Sequence, residues 1–238
     1  MCVSELRGDN HYMTILLLFL TLAFLVQPRP CKPQFAPLET GTSSGATDLD
    51  HWWAAEAGSW AGKDWVGWTH ESTRLVPAEL IVRPLPDKDG IYEEERVTVE
   101  WRPEMLSFAV RCMPAVRAGR MESARIVNHE LQSSGPLGIT LGKRRYIVRL
   151  EHLRQNTADA RVVLSDGTVR QVLYSTDGFV DEPHFYVEWA GDLDRDGRLD
   201  LVVNLSRKYS LHPHRLLLST KANKSELVGE AAVFVTGD

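Results

Sequence analysis

Through most of the chain, apolar and polar side chains alternate in short runs with a period of two. That is the pattern of strands that keep one face on a core. Residues 74–83 (RLVPAELIVR) and 96–101 (RVTVEW) both show it, with the turn residues Pro84, Pro86, Asp87, Asp89 and Gly90 between them. Residues 106–112 (LSFAVRC) form a further candidate strand, ended by Pro114. Residues 138–150 (GITLGKRRYIVRL) predict a hairpin turning at Gly142-Lys143. Residues 160–174 (ARVVLSDGTVRQVLY) predict another at Asp166-Gly167, a dipeptide suited to the two-residue turn whose central residues both need positive φ. The segments 185–190, 199–205, 215–219 and 231–235 complete the strands, and only 51–58 and 225–230 hint at short helices. The expected class is all-β: two small β lobes, sandwich- or barrel-like, with little helix. An N-terminal lobe over 51–131 and a C-terminal lobe over 137–238 would divide at the linker-like Gln132-Ser133-Ser134-Gly135-Pro136.

The N-terminal segment breaks the alternation. Residues 13–26 (MTILLLFLTLAFLV) are continuously apolar. The run is short for a bilayer crossing but fits the apolar region of an export signal. Arg7 is its one early basic residue and is offset by Glu5 and Asp9. Residues 1–30 are therefore expected to be a signal peptide or anchor, and 31–50, rich in Pro, Gly, Ser and Thr, a linker. The expected location is outside the cytoplasm, periplasmic or secreted, with membrane contact only through an uncleaved signal or a lipid anchor at Cys31. In an oxidising compartment Cys31 and Cys112 form a candidate disulfide, although sequence alone does not bring them together.

Composition adds little: 238 residues, 43% hydrophobic and 25% charged, suit one or two small globular domains. The net charge of −5 argues against a nucleic-acid binder. The acidity is concentrated in residues 192–200 (DLDRDGRLD), where Asp192, Asp194, Asp196 and Asp200 hold loop positions one, three, five and nine. Calcium takes about six to eight oxygens at about 2.3–2.6 Å, and alternate carboxylates on a tightly turning backbone can converge on it. Gly197 permits the sharp turn. The main-chain carbonyl of Arg198 would be a further ligand, and Leu199 would anchor the loop on the core. Without a counter-ion these carboxylates repel one another. Calcium is thus the expected ion, since magnesium demands a stricter octahedron. The run is not an EF-hand: Val203 stands where a bidentate Glu belongs, and both flanks read as strands. Water or Asp181, Glu182 or Glu188 would replace the missing carboxylate.

Residues 191–203 (GDLDRDGRLDLVV) resemble the calcium loop of FG-GAP and VCBS-type repeats, found in integrin propellers and many exported bacterial proteins. Asp192, Asp194, Asp196, Gly197 and Asp200 match its D-x-D-x-D-G-x-x-D core, with Leu201 and Val203 as the apolar continuation. A looser similarity to signal-bearing bacterial proteins of unassigned function spans 138–234. The resemblance implies an exported β domain with a structural calcium. Propeller repeats come in several copies and this chain has one, which argues against a complete propeller and its integrin-like ligand site.

Trp52, Trp53, Trp60, Trp65 and Trp68 crowd into one stretch. They can stack on sugars, but their interspersed glycines read as core packing. His184, His212 and His214 are candidates for a transition-metal site that no carboxylate or cysteine completes; satisfied or surface histidines are the simpler expectation. No G-x-S-x-G, P-loop or dinucleotide fingerprint occurs. The expected function is that of an exported, non-enzymatic calcium-binding protein that contacts an unknown protein or glycan. The alternative is a secreted or periplasmic hydrolase with its site between the lobes.

Overall fold

Among the described residues, every strand up to Arg120 pairs in one sheet, and every strand from Glu122 onward pairs in two others. A computed structural model describes residues 31–38, 51–69, 72–85, 95–127, 129–131, 135–152, 160–176, 184–208 and 210–237. The apolar run at 13–26, most of the expected linker, the break at 132–134, and Asp181 and Glu182 lie outside the described residues. The chain divides into two compact units, Met1–Lys32 and Pro33–Asp238. All but two of the described residues belong to the second.

The first sheet contains β1 (Gln34–Pro37), β2 (His51–Trp53), β3 (Gly62–Thr69), β4 (Arg74–Leu85), β5 (Arg96–Arg102), β6 (Leu106–Arg111) and β7 (Gly119–Arg120). Its order is β1-β6-β3-β4-β5-β2, with β7 on β4. The one helical turn here, α1 (Ala54–Ala57), continues into a short 3-10 turn ending at Trp60. The remaining strands are β8 (Glu122–Ser123), β9 (Arg125–Val127), β10 (Leu137–Leu141), β11 (Arg144–His152), β12 (Ala160–Ser165), β13 (Arg170–Thr176), β14 (His184–Asp192), β15 (Asp200–Ser206), β16 (Leu211–Leu218) and β17 (Gly229–Gly237). They form a second sheet, β13-β12-β11-β10-β9, and a third, β17-β16-β15-β14-β8. The class is all-β, as the alternation predicts.

Three apolar clusters hold the sheets, and β15 explains their arrangement. All seven of its residues are buried. Leu201, Val203 and Leu205 join β10–β12 in one cluster, while Val202 joins Trp68, Phe108 and Trp189 in a second. The third sheet is therefore covered on both faces, so its central strand reads as a continuous apolar run instead of an alternating one. Trp60, Trp65 and Leu80 centre the third cluster, against the first sheet. Burying each such side chain contributes about 1.5–3 kcal/mol.

Of the tryptophan run, Trp60, Trp65 and Trp68 are buried in the core, as expected, while Trp52 and Trp53 are half-buried. The Trp65 indole N–H donates to the Trp60 carbonyl at 2.7 Å, and that of Trp68 to the Ser72 carbonyl at 2.8 Å. This run also contains β3, which the pattern did not predict because its glycines and polar Lys63-Asp64 mask the alternation. Two further elements differ from expectation. Residues 34–37 form β1 rather than linker, because Phe35 and Ala36 are buried against β6. Residues 225–230 form a turn running into β17, not a helix. A Cβ at Gly229 would lie 2.1 Å from the Lys221 carbonyl oxygen.

The hairpin at Gly142-Lys143 turns as predicted, with Leu141 opposite Arg144 and Gly142 at φ +56°. The one at Asp166-Gly167 does not form a two-residue turn. Residues 166–169 make the loop, only Gly167 has positive φ, and Asp166 Oδ1 accepts the N–H groups of Thr168 (2.8 Å) and Val169 (2.7 Å). The Val169 bond is the main force holding the Asp166 carboxyl below its ordinary pKa. Side-chain capping has replaced the second residue with positive φ. Cys31 and Cys112 are both disulfide-bonded.

Candidate metal centre

The acidic run connects two adjacent strands of the third sheet, from the end of β14 at Asp192 to the start of the central β15 at Asp200. Gly191 admits the approach of β8: a Cβ there would fall 2.5 Å from the Glu122 carbonyl and from the Trp189 ring. Left-handed residues Arg195 (φ +67°) and Gly197 (φ +76°) bend the loop. The predicted turn glycine is thus confirmed. Arg195 is a second turning point that the sequence did not reveal, held by its guanidinium donating to the Arg117 carbonyl at 2.5 Å.

Two leucines fix the loop. Leu199 packs into the cluster shared with the second sheet, as expected for an anchor, and Leu193 packs into the cluster shared with the first. Both are buried, at 1% and 0% exposure. The loop is thereby pinned on opposite faces of the sheet.

Oxygens of Asp192, Asp194 and Asp200 lie within 4.8 Å of one another. Asp200 is fully buried; its Oδ2 accepts the N–H groups of Leu193 (2.7 Å) and Asp194 (3.3 Å), and its Oδ1 that of Ser219 (2.7 Å). Asp192 is 7% exposed. Its Oδ2 accepts the Gly197 N–H at 2.9 Å, while its Oδ1 is buried with no hydrogen-bond partner among the described residues. A buried carboxylate oxygen without a donor is costly unless a proton, a water or a cation satisfies it. Asp194 takes the Asp196 N–H (3.3 Å) and the Thr220 hydroxyl (2.5 Å).

Of the expected ligands, Asp192, Asp194 and Asp200 are brought together, and Asp196 is turned aside. Asp196 accepts the Arg198 guanidinium at 2.9 Å and the Ser219 hydroxyl at 2.7 Å. The Arg198 side chain also donates to the Ser219 carbonyl at 2.6 Å. Ser219 and Thr220 were missed. They follow β16, outside the acidic motif, and no local signal marks them.

Electrostatics agrees with the geometry. Burial, reinforced by the charge of Asp194, pushes the Asp200 carboxyl up to about 7. Burial also raises Asp192, with Asp196 and Asp194 adding repulsion. For Asp196 burial works upward, but hydrogen bonds from Ser219 and Arg198 outweigh it and hold the group below its ordinary value. The loop thus carries two carboxyls that resist ionisation next to one another. An all-oxygen donor set with hard carboxylates fits a hard divalent cation, the class to which calcium and magnesium belong.

Among the expected replacements for the missing carboxylate, Glu188 is engaged elsewhere: its Oε1 lies 2.8 Å from Nδ1 of His214, which is 4% exposed. His212 sits beside that pair, its ring centroid 6.5 Å from that of His214 and its Nδ1 3.4 Å from the Asn204 amide. The side chain of His184 lies outside the described residues. His214 therefore forms a buried pair with a carboxylate, and neither it nor His212 belongs to a metal-ligating group among the described residues.

No family model, curated protein or solved structure matches this chain.

Proposed function

We propose that residues 192–200 form an FG-GAP-like loop that binds calcium, and that the ion is structural in an exported β protein whose role is to bind another protein or a glycan. The observation that carries this reading is Asp192 Oδ1, buried and without a donor in a group with Asp194 and Asp200. Those three residues would hold the ion, with the Arg198 carbonyl and a reoriented Asp196 as further ligands. That Cys31 and Cys112 are disulfide-bonded supports export, since such bonds persist in oxidising compartments.

A secreted hydrolase is the second reading. The His214–Glu188 pair favours it, because a carboxylate that orients an imidazole is a catalytic arrangement. Its burial at 4% exposure favours a structural pair instead.

Thermal unfolding in calcium and in EDTA tests the loop. Calcium at about a hundred times its Kd would add about 2.7 kcal/mol. For a chain of this size that corresponds to a rise of roughly 5–10 °C. Asp194→Ala combined with Asp196→Ala should abolish the rise. A midpoint indifferent to calcium in the wild type would refute the reading.

A further inference from the structure

The outer face of the second sheet is strongly basic on an acidic chain. Registers place its side chains: Arg125 opposite Thr140, Thr140 opposite Arg145, Arg149 opposite Val163 (itself buried, at a register shift against β13), and Ser165 opposite Arg170. Directly paired residues of neighbouring strands share a face, so these side chains stand on the side away from the core. Arg161 joins them opposite Glu151, the one carboxylate on this face among the described residues. Glu151 is paired with Arg170 at 2.5 Å. No ion pair or hydrogen bond engages the guanidinium groups of Arg125, Arg145, Arg149 or Arg161 among the described residues, and Arg161 Nε is buried without a partner. Lys143 extends the positive charge along the adjoining turn, whereas Arg144 acts on the Asp166 carboxylate nearby.

Aliphatic side chains alternate with these arginines. Val127 (57% exposed), Ile147 (38%) and Val172 (41%) lie on β9, β11 and β13, so they span the sheet from edge to edge. Each loses its exposed apolar area only under a covering that is itself partly apolar. A polyanion in water, such as an acidic polysaccharide, would engage the arginines but leave those side chains wet, and no aromatic side chain stands exposed here to stack on a sugar. A protein interface would want a continuous apolar centre with charge at the rim. Here Ile147 instead sits between Arg145 and Arg149 on its own strand. Cations distributed evenly among aliphatic groups match a surface of distributed phosphates over an apolar layer.

We propose that this face of the second sheet docks on an anionic phospholipid surface. The arginines meet lipid phosphates through their forked donors, and Val127, Ile147 and Val172 contact the region below the headgroups. No helix among the described residues is long and apolar enough to cross a membrane, so contact through this face would be peripheral.

The test is sedimentation of the full chain with vesicles of equimolar phosphatidylglycerol and phosphatidylcholine, and with vesicles of phosphatidylcholine alone. EDTA is present throughout so that the acidic loop cannot bridge to lipid through calcium. Every variant keeps residues 13–26, so any insertion of that run contributes equally. Binding to the anionic vesicles should exceed binding to the neutral ones by tenfold or more. Arg145→Glu with Arg149→Glu should lower it roughly thirtyfold or more, at about 1 kcal/mol for each basic residue near such a surface. Arg145→Lys with Arg149→Lys should retain it, and Ile147→Ser should weaken it severalfold. Equal binding to both vesicles, or a charge-reversed variant with native unfolding and unchanged binding, would overturn the proposal. So would an unchanged Ile147→Ser together with tight binding of dextran sulfate, which would reassign the face to a soluble polyanion.

Discussion

Leu193 and Asp200 close the acidic loop on itself. The Leu193 N–H donates to Asp200 Oδ2 at 2.7 Å while the Leu193 side chain is fully buried, so one residue supplies both a donor to the carboxylate and an apolar anchor. Asp200→Ala should remove the acceptor for Leu193, Asp194 and Ser219 together. Leaving buried donors unsatisfied costs about 1–3 kcal/mol each at most, so a loss of roughly 2–4 kcal/mol in urea titrations is expected even in EDTA. Unchanged stability would show that these bonds contribute nothing.

The second prediction concerns pH. Asp200 is raised from 3.8 to about 7, so between those values the folded, metal-free protein binds a proton that the unfolded chain has released. The stability that protonated Asp200 contributes in EDTA is then fully present below the unfolded pKa and is lost as pH rises toward and through 7. Asp166 and Asp196, both held low, change stability below 3.8 and do not offset this. Calcium must displace the same proton. Below pH 7 its affinity should decline toward tenfold per pH unit, and calorimetry in buffers of different ionisation enthalpy should register proton release. Affinity independent of pH between 5 and 7.5 would contradict the burial of Asp200.

Two glycines should fail for different reasons. Gly229→Ala puts a methyl group on the Lys221 carbonyl, with backbone on both sides, and should cost about 1–3 kcal/mol or more. Gly197 faces open space but has φ +76°, so Gly197→Ala carries only the left-handed penalty of about 1–2 kcal/mol. The cost at Gly229 should be insensitive to calcium. That at Gly197 should shrink the calcium-induced rise in Tm, and equal calcium responses in the two variants would argue against Gly197 shaping the site.

Leu193→Ala removes a buried side chain from the cluster that joins the first and third sheets. The cavity should cost about 2–5 kcal/mol. Because Leu193 positions Asp192 and Asp194 on either side of it, calcium affinity should fall as well. A stability loss with unchanged affinity would mean that the loop is shaped by its hydrogen bonds alone.

How much of this was legible follows from what is local. The strands from 160 to 235 announce themselves because alternation is a property of neighbours, and β15 was recognised even though burial on both faces erased its alternation. β3 stayed hidden because tryptophan and glycine there answer to packing across the first sheet. At the site, the spacing of Asp192, Asp194 and Asp200 is written in the motif. The diversion of Asp196 is not, since Ser219 and Thr220 reach the loop only after β16 has folded back along β15. The outer-face arginines look like ordinary surface charge in the sequence. Only strand register gathers them from β9, β11, β12 and β13 onto one face.

The fixing of the loop to β15 also decides what a bound ion would do to the motions of the protein. Asp200 is both a member of the acidic group and the first residue of a strand buried on two sides. The amides of Leu193 and Ser219 are bonded to its carboxylate. Opening the loop therefore means uncovering the centre of the domain, so loop and core form one cooperative unit rather than a labile flap on a stable body. In hydrogen exchange those two amides should be as slow as the interior of β15, and calcium should slow all of them together.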